Sequence, residues 1–279
     1  MKRILVTGGT GVLGREVVGR LVERGDEVRV LTRNPRALVP DPAQTVRGDL
    51  ATGERLLEAV VVADVIVHLA TNPWRAGRVD LEGTRGLVEA ARAGSSPHVV
   101  YISIVGVDRI PWGYYRLKLA TERMIAESGL PWTVLRTTQF HDLVFVAFFY
   151  TSRLPVALVP KAVSAQPVDA RDVADALVEL ASAPALNGYA PDLGGPEVHS
   201  AMELMQMVLR ALDRKRPIVS LPIPGQVGQG FRAGYHLVPG GNQGRRTFAA
   251  YLQERIHRDG ARIVVEVPYR RIGSFRHRQ

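Results

Sequence analysis

Apolar residues follow two alternating spacings over the first 136 residues of the chain. Around Val17–Val22 and Leu56–Val61 they recur at steps of three and four, which predicts amphipathic helices. Between the helices, short runs rich in β-branched residues predict strands at Arg3–Thr7, Glu27–Thr32, Gln44–Arg47, Val65–Leu69, Val99–Ser103 and Trp132–Leu135. Apolar strands that alternate with helices indicate a parallel sheet covered on both faces, so we expect a doubly wound α/β fold.

The spacing changes after Arg136 and divides the chain into three regions. Residues 1–136 are predicted to form the sheet domain. Residues 137–253 are too broken in pattern for an independent domain, so we expect a small C-terminal cap that binds substrate and is integrated with the edge of the sheet. Residues 254–279 are predicted to be a basic C-terminal tail.

Capping residues and turns divide the cap into short elements. Asp172 and Ser200 are each predicted to cap the N-terminus of a helix. Pro217–Pro224 is bounded by prolines and predicts an extended segment. The glycine-rich stretch Gly225–Gly244 is predicted to be a loop or a lid.

The turn after the first strand is rich in glycine. Gly8, Gly11 and Gly14 lie three residues apart. Gly9, Gly11 and Gly14 also fit the dinucleotide-binding pattern G-x-G-x-x-G. This pattern follows a strand and opens a helix, whose free N–H groups and dipole suit a pyrophosphate. The sequence therefore predicts a Rossmann doubly wound parallel sheet that binds a dinucleotide. Eight consecutive residues are expected to form the cofactor loop: Thr7, Gly8, Gly9, Thr10, Gly11, Val12, Leu13 and Gly14.

Arg33 occupies the end of the second predicted strand, where an acidic residue would bind the ribose 2′-hydroxyl of NAD. A guanidinium suits a 2′-phosphate instead, so we expect NADP(H) as the cofactor. The ends of the third and fourth strands supply the other expected cofactor contacts, which are Asp49, Leu50, Leu69, Ala70 and Thr71.

Composition excludes several classes of site and partner. The chain has no cysteine, which excludes disulfides, thiolate catalysis and cysteine-ligated metal, and we expect no metal site. No signal peptide is visible, and the longest apolar run, Leu143–Tyr150, is far too short to span a bilayer, so we expect a cytoplasmic protein without a membrane partner.

The chain has a net charge of +9, and +4 of this charge lies in the tail, which has seven Arg and three acidic residues. A nucleic-acid partner is not expected, and both a monomer and a homodimer remain open.

These motifs resemble the short-chain dehydrogenase/reductase superfamily, and most of all its atypical, NmrA-like NAD(P)H-binding branch. The resemblance covers roughly residues 1–185, with a further patch at Gly244–Phe248. It implies a Rossmann fold, use of NADP(H) and redox chemistry on a carbonyl or olefin, although the branch also has non-catalytic regulators. The features that carry it are Thr7–Gly14, Arg33, Asp49, Ser103–Asp108, Tyr114–Lys118 with Glu122, Ser128–Arg136 and Gln139–Asp142.

The superfamily motif Y-x-x-x-K matches Tyr114 and Lys118, which lie four apart and share one face of a predicted helix. The resemblance implies that Tyr114 donates a proton to the substrate. It also implies that Lys118 lowers the pKa of Tyr114 and binds the nicotinamide ribose. Tyr115 is a rival for the same role. Ser103 is the candidate for the superfamily's carbonyl-binding serine, although the usual position could fall on the following apolar residues.

Aromatic and polar residues after the sixth strand form a candidate substrate pocket, made of Gln139, Phe140, His141 and Phe145. In open α/β sheets ligands bind beyond the carboxyl ends of the strands, and this segment leaves from there. The alternative is that these rings fill the core of the cap.

Three functions are compatible with the motifs. The first is an NADPH-dependent oxidoreductase that transfers a hydride to a ketone, enone or quinone-type carbonyl of a hydrophobic, aromatic small molecule. The second is a catalytically silent regulator that senses NADP(H), which the doubtful serine position favours. A nucleotide-sugar epimerase or dehydratase ranks third, because the serine-rich strand end of that branch is absent.

Overall fold

A computed structural model describes residues 1–71, 81–259 and 262–265 of the chain. The six strands predicted from the sequence are all present, and the first three have the predicted bounds. They are β1 (Arg3–Thr7), β2 (Glu27–Thr32), β3 (Gln44–Arg47), β4 (Val65–His68), β5 (His98–Ile104) and β6 (Trp132–Thr137).

Parallel strands form the main sheet in the order β3-β2-β1-β4-β5-β6. The sheet continues from β6 through two short parallel strands, β10 (Leu193–Gly194) and β13 (Asn242–Gln243), and β9 (Gly188–Tyr189) pairs elsewhere along β6. The strand order reverses between β1 and β4, which creates a crevice beyond their carboxyl ends. The expected doubly wound Rossmann fold is confirmed.

Helices cover both faces of the sheet, as the continuous apolar strands require. On one face, Val17 and Leu21 of α1 (Val12–Glu23) pack with Val173 and Leu177 of α6 (Ala170–Ser182). On the other face lie α2 (Leu56–Val60), α3 (Gly83–Ala93) and α4 (Gly113–Ala126). Because α6 comes from the cap region of the sequence, residues 137–253 complete the sheet domain and also extend it.

The rest of the cap is built around a second core. Its helices are α5 (His141–Thr151), α7 (Ala201–Ala211) and α9 (Phe248–Arg255), whereas α8 (Gly225–Arg232) packs separately against Ile110 and Tyr115. Its strands are β7 (Ala157–Pro160), β8 (Ser164–Ala165), β11 (His199–Ser200) and β12 (Ile218–Leu221), with β7 and β12 paired in parallel. Phe145 and Phe149 of α5 meet Leu204 of α7 and Phe248 of α9 in this core.

Two helix predictions in the cap have different outcomes. Ser200 caps α7 through a capping box with Glu203, as predicted. The prediction for α6 is wrong, because Asp169 is its N-cap and accepts a hydrogen bond from the Arg171 N–H. Asp172 lies in the first turn of α6 and instead accepts from two backbone N–H groups, those of Arg245 and Arg246, at 2.8 and 3.0 Å. It thereby holds the patch at Gly244–Phe248 against the sheet domain.

The glycine-rich lid and the tail also differ from expectation. Residues 225–244 are not only loop, since α8 forms there. Glu254 and Arg255 are the last residues of α9, and Glu254 forms an ion pair with Arg171. After α9 the chain continues into a hairpin of β14 (Ile256–Asp259) and β15 (Arg262–Val265). The predicted tail therefore begins later than Glu254, and residues 266–279 lie outside the described part.

Helix length bears on the membrane expectation. The longest helix in the described ranges, α4, has 14 residues, and none of those helices is long and apolar enough to cross a bilayer.

Candidate active site

The glycine loop sits at the carboxyl end of β1, where the strand order reverses. Gly8 has a φ of +70°, and a Cβ there would lie 2.7 Å from the Ala70 backbone nitrogen. A Cβ on Gly14 would lie 2.1 Å from the Gly8 carbonyl oxygen, and one on Gly9 would lie 2.7 Å from a Val30 methyl. These three glycines are therefore required by the packing of the loop against the sheet and α1.

Gly11 differs from its neighbours because the protein itself leaves room at this position. A Cβ there would meet only the Gly8 carbonyl oxygen, at 3.3 Å, and the residue is exposed. Gly11 is also the N-cap of α1, and neither a capping side chain nor an acidic residue occupies the first turn. The open space in front of the free N–H groups of α1 fits a pyrophosphate.

A buried hydrogen-bond network fixes the ends of β1 and β4 beside this loop. The Thr7 hydroxyl lies 2.7 Å from His68 Nδ1 and accepts from the Ala70 N–H at 3.2 Å. His68 Nε2 lies 2.9 Å from the Thr84 hydroxyl. Burial, together with the charge of Lys118, lowers the pKa of His68 to about 3, so the ring is neutral near pH 7. Leu69 and Ala70 are thereby held against Gly8.

The tyrosine and lysine of Y-x-x-x-K lie one helical turn apart at the start of α4. The half-buried Tyr114 presents its hydroxyl 2.8 Å from the Thr71 hydroxyl, just beyond β4. Lys118 is buried, donates to the Ile102 carbonyl at 2.7 Å and lies 4.2 Å from the centre of the Tyr101 ring. The structure thus brings Tyr114, Lys118 and Thr71 together at the carboxyl edge of the sheet.

Tyr115 has a different environment from Tyr114. Its ring is 2% exposed, and its hydroxyl accepts from the Gln139 amide at 3.3 Å. Burial raises the pKa of Tyr115 to about 12, which makes it a poor proton donor near neutral pH. The geometry therefore favours Tyr114 over this rival.

The structure separates the other predicted catalytic and pocket residues. Ser103 is 1% exposed, and its buried hydroxyl has no hydrogen-bond partner among the described residues. His141 is fully buried and donates through Nε2 to the Pro167 carbonyl at 3.0 Å. Phe145 is fully buried in the cap core, which agrees with the packing alternative and not with a place on the surface of a pocket. Gln139 and Phe140 are half-buried beyond the end of β6.

Two further aromatic side chains, Trp112 at the N-cap of α4 and Phe231 on α8, form a cluster with Tyr114. Trp112 is 48% exposed, and its ring centre lies 6.1 Å from that of Tyr114 and 6.3 Å from that of Phe231 on α8. Sequence reasoning missed this cluster, because the two parts are more than 100 residues apart along the chain. The proximity of Trp112 to the Y-x-x-x-K motif was its only local signal.

A buried ion pair supports α4 from behind the site. Arg136 on β6 forms a bidentate pair with the fully buried Glu122 at 3.0 and 2.7 Å, and it also reaches Asp108 at 3.2 Å. Although burial lowers the pKa of Arg136, its bonds to Glu122 raise it above the usual range. The pair ties α4, one turn beyond Lys118, to the sheet.

The remaining predicted cofactor contacts lie at the ends of β2 and β3. Arg33 directly follows β2, is exposed and has neither a hydrogen bond nor an ion pair to another residue in the described ranges. Asp49 is half-buried after β3, and its carboxylate accepts from the Ala51 N–H at 2.9 Å. Leu50 packs beside it against the α3 face of the sheet.

A family model described as NAD(P)H-binding matches residues 8–184, well over half of the chain. The chain belongs to this NAD(P)H-binding family. The family expected from the sequence is confirmed, and so is a nicotinamide dinucleotide as its cofactor. The glycine loop, the open position at Gly11 and the uncapped α1 are the parts of the molecule that fit the dinucleotide.

Relatives of this chain have different functions. A (4-alkanoyl-5-oxo-2,5-dihydrofuran-3-yl)methyl phosphate reductase of Streptomyces griseus is 32% identical over 220 residues, which are 76% of this chain and 74% of that protein. The photosystem II assembly factor Ycf39 of Cyanophora paradoxa is 35% identical over 147 residues, which are 49% of this chain and 45% of that protein.

A solved structure shares the fold across nearly the whole chain. The NADPH-dependent quinone oxidoreductase QOR2 of Escherichia coli, solved with NADPH, aligns with a TM-score of 0.77. The alignment covers 90% of this chain and 99% of that chain, at 18% identity.

Replacing Gly11 with Val is expected to abolish measurable NADPH binding while the protein stays folded. The added Cβ would meet only the Gly8 carbonyl oxygen of the protein, at 3.3 Å, whereas the rest of the side chain would occupy the space in front of the α1 N–H groups. Titration calorimetry with NADPH measures the binding, and circular dichroism measures the fold. Gly14→Ala is the contrasting variant, because its Cβ clashes with the Gly8 carbonyl and should lower the thermal midpoint. Normal binding by folded Gly11→Val would place the dinucleotide elsewhere.

Proposed function

We propose that the protein is an NADPH-dependent oxidoreductase that reduces a ketone, enone or quinone-type carbonyl on a hydrophobic small molecule. The observation that carries this proposal is the Tyr114 hydroxyl. It lies at the carboxyl edge of the sheet and 2.8 Å from the Thr71 hydroxyl, and Lys118 follows one helical turn later on α4, with its ammonium bonded to the Ile102 carbonyl.

Each residue of this set has a defined task in the reduction. A dinucleotide held by the glycine loop Gly8–Gly14 would supply the hydride for the electrophilic carbon. Tyr114 donates its proton to the substrate oxygen, which gains negative charge as the carbon is reduced. Lys118 stabilises the resulting phenolate by its charge, and the exposed Thr71 hydroxyl lies in position to return a proton from solvent. One hydride and one proton together account for a two-electron reduction.

The surroundings of Tyr114 support a flat, apolar substrate. Trp112 offers aromatic surface beside the Tyr114 ring, Phe231 packs against Trp112, and nearly half of the Trp112 surface is open to solvent. The Streptomyces relative and QOR2 are both reductases, which supports the proposal.

The direct test follows NADPH absorbance with the full chain and a panel of quinones, enones and aromatic ketones. Oxidation of NADPH that depends on both the enzyme and one of these compounds is the expected result. A regulator that binds NADP(H) without turnover is the second candidate, favoured by the buried Ser103. Tight NADPH binding without oxidation across the whole panel would favour that candidate and overturn the reductase.

Arg33 is expected to make NADPH bind more tightly than NADH. A charged hydrogen bond to the 2′-phosphate contributes about 1.5–3 kcal/mol, or about ten- to a hundredfold in affinity. Fluorescence titration should show that Arg33→Ala loses this preference while NADH affinity stays the same. Arg92→Ala, an exposed arginine in the last turn of α3, is the control and should keep the preference. Equal affinities for both cofactors in the parent protein would refute the assignment.

A further inference from the structure

Helix α5 is apolar on all sides yet buries only one of them. Asp142, its single charged residue, is buried at the N-terminal end. Phe145 and Phe149 point into the cap core, whereas Leu143 and Tyr150 are 55% and 54% exposed. A helix that is apolar all round normally has both sides covered, and eleven residues are too few to cross a bilayer. The exposed side of α5 is therefore a surface to which a partner can bind.

Exposed apolar side chains also occur on the loop after α5 and on the two strands β7 and β12. Leu154 follows the helix and is 44% exposed. In the parallel pair of β7 and β12, Leu158 lies opposite Val219, and both side chains point outward. Leu221 is 47% exposed on the same side of β12. We call this surface, formed by Leu143, Tyr150, Leu154, Leu158, Val219 and Leu221, the docking face.

Positive charge surrounds one end of the docking face. Arg153 follows α5, and Arg214, Lys215 and Arg216 precede β12. Four cationic side chains line a cavity of about 450 Å³: Arg210, Arg214, Lys215 and Arg216. The sequence has no Asp or Glu between Asp142 and Asp169, and none between Asp213 and Glu254. The two segments that build the face therefore carry only positive charges.

These cations are held in place although they repel one another. Arg214 donates to the Ser152 hydroxyl at 3.0 Å, and Arg216 donates to the Leu154 carbonyl at 3.1 Å. Burial lowers the pKa of Arg214, and the charges of Arg153 and Arg216 lower it further. An anion bound among them would relieve this repulsion.

We propose that the docking face binds the surface of a membrane that contains anionic lipids. Exposed leucines and valines enter the boundary between headgroups and acyl chains, while the arginines and lysine attract lipid phosphates. Surface binding of this kind needs no spanning segment, so the short apolar run does not oppose it. A second copy of the chain is a poorer partner, because a two-fold contact on this face presents the same cations to each other.

The test is sedimentation of the full chain with vesicles of phosphatidylcholine, with or without phosphatidylglycerol. We expect binding only to the anionic vesicles, with weaker binding as salt rises and no competition by dilute inorganic phosphate. Arg216→Ala should lower the partition coefficient about fivefold, the effect of one interfacial cation, and Arg216→Lys should retain it. Leu154→Glu should abolish binding.

Matched variants outside the face control for overall charge and apolarity. Arg92→Ala on α3 and Leu57→Glu on α2, where Leu57 is 52% exposed, should bind like the parent. All variants keep residues 266–279, so the charge of that segment is constant. Equal losses in the control variants, or binding unchanged by Leu154→Glu, would overturn the proposal. The proposal would also be overturned if the chain did not bind vesicles and sedimentation velocity showed a dimer that the Leu154→Glu substitution dissociates.

Discussion

Replacing Tyr114 with Phe is expected to lower turnover by about 10²–10⁴-fold, the usual contribution of a general acid. The substitution keeps the ring, which packs beside Trp112, and removes only the hydroxyl that lies 2.8 Å from Thr71. Because the phenol is not part of the glycine loop, NADPH affinity should stay the same. Steady-state kinetics with an active substrate from the panel, and a fluorescence titration of NADPH, measure the two quantities.

Tyr115→Phe is the matched control for that substitution. Its hydroxyl is buried and bonded to Gln139, so we expect turnover within a few-fold of the parent at unchanged cofactor affinity. Lys118→Ala should lower both turnover and affinity, because the resemblance assigns its ammonium to the ribose as well as to the tyrosine. Full turnover by Tyr114→Phe would remove Tyr114 from the mechanism, whatever Tyr115→Phe does.

Arg136→Met is expected to destabilise the protein by about 3–5 kcal/mol, because it leaves the Glu122 carboxylate buried without its partner. Glu122 is fully buried, and both of its oxygens are bonded to Arg136. The midpoint of urea unfolding measures the loss. Since α4 carries Tyr114 and Lys118, turnover should fall in parallel even well below the unfolding midpoint.

The double variant Glu122→Leu/Arg136→Met tests the cause of this loss. Replacing a buried ion pair by apolar residues of similar volume is often neutral, so most of the lost stability should return. If the double variant is as unstable as Arg136→Met, the loss of stability comes from the packing of Arg136 against Tyr189 and not from an unpaired charge. The Arg136 Cζ atom lies 4.7 Å from the centre of the Tyr189 ring.

The strands of the sheet could be predicted from the sequence because each strand is marked by residues that are adjacent along the chain. β1, β2 and β3 begin and end where their β-branched runs do, and the glycine loop follows directly from β1. Helical phase alone places Tyr114 and Lys118 on one face, with Tyr115 turned about 100° away toward the core.

The cap was harder to predict because its contacts join distant segments. Asp172 has the sequence context of an N-cap, but the N-cap of α6 is Asp169, three residues earlier. The Asp172 carboxylate instead accepts hydrogen bonds from the backbone N–H groups of Arg245 and Arg246, more than 70 residues away. An apolar helix such as α5 gives no sequence signal of which side is buried. Phe145 therefore looked as suitable for a pocket as Trp112, which does lie beside Tyr114.

The pairing of β10 with β13 limits how the active site can open. Both strands lie in the main sheet, where the Thr138 N–H donates to the Leu193 carbonyl and the Gly244 N–H to the Gly194 carbonyl. A hinge motion of the whole cap would break these bonds. Between β12 and β13, however, α8 begins at Gly225 and is followed by Gly234, both with positive φ, and its Phe231 packs beside Ile110 and Tyr115 and not in the cap core. We therefore expect entry of substrate beside Trp112 to be gated by movement of one eight-residue helix carrying Phe231, with the sheet and cap core stationary.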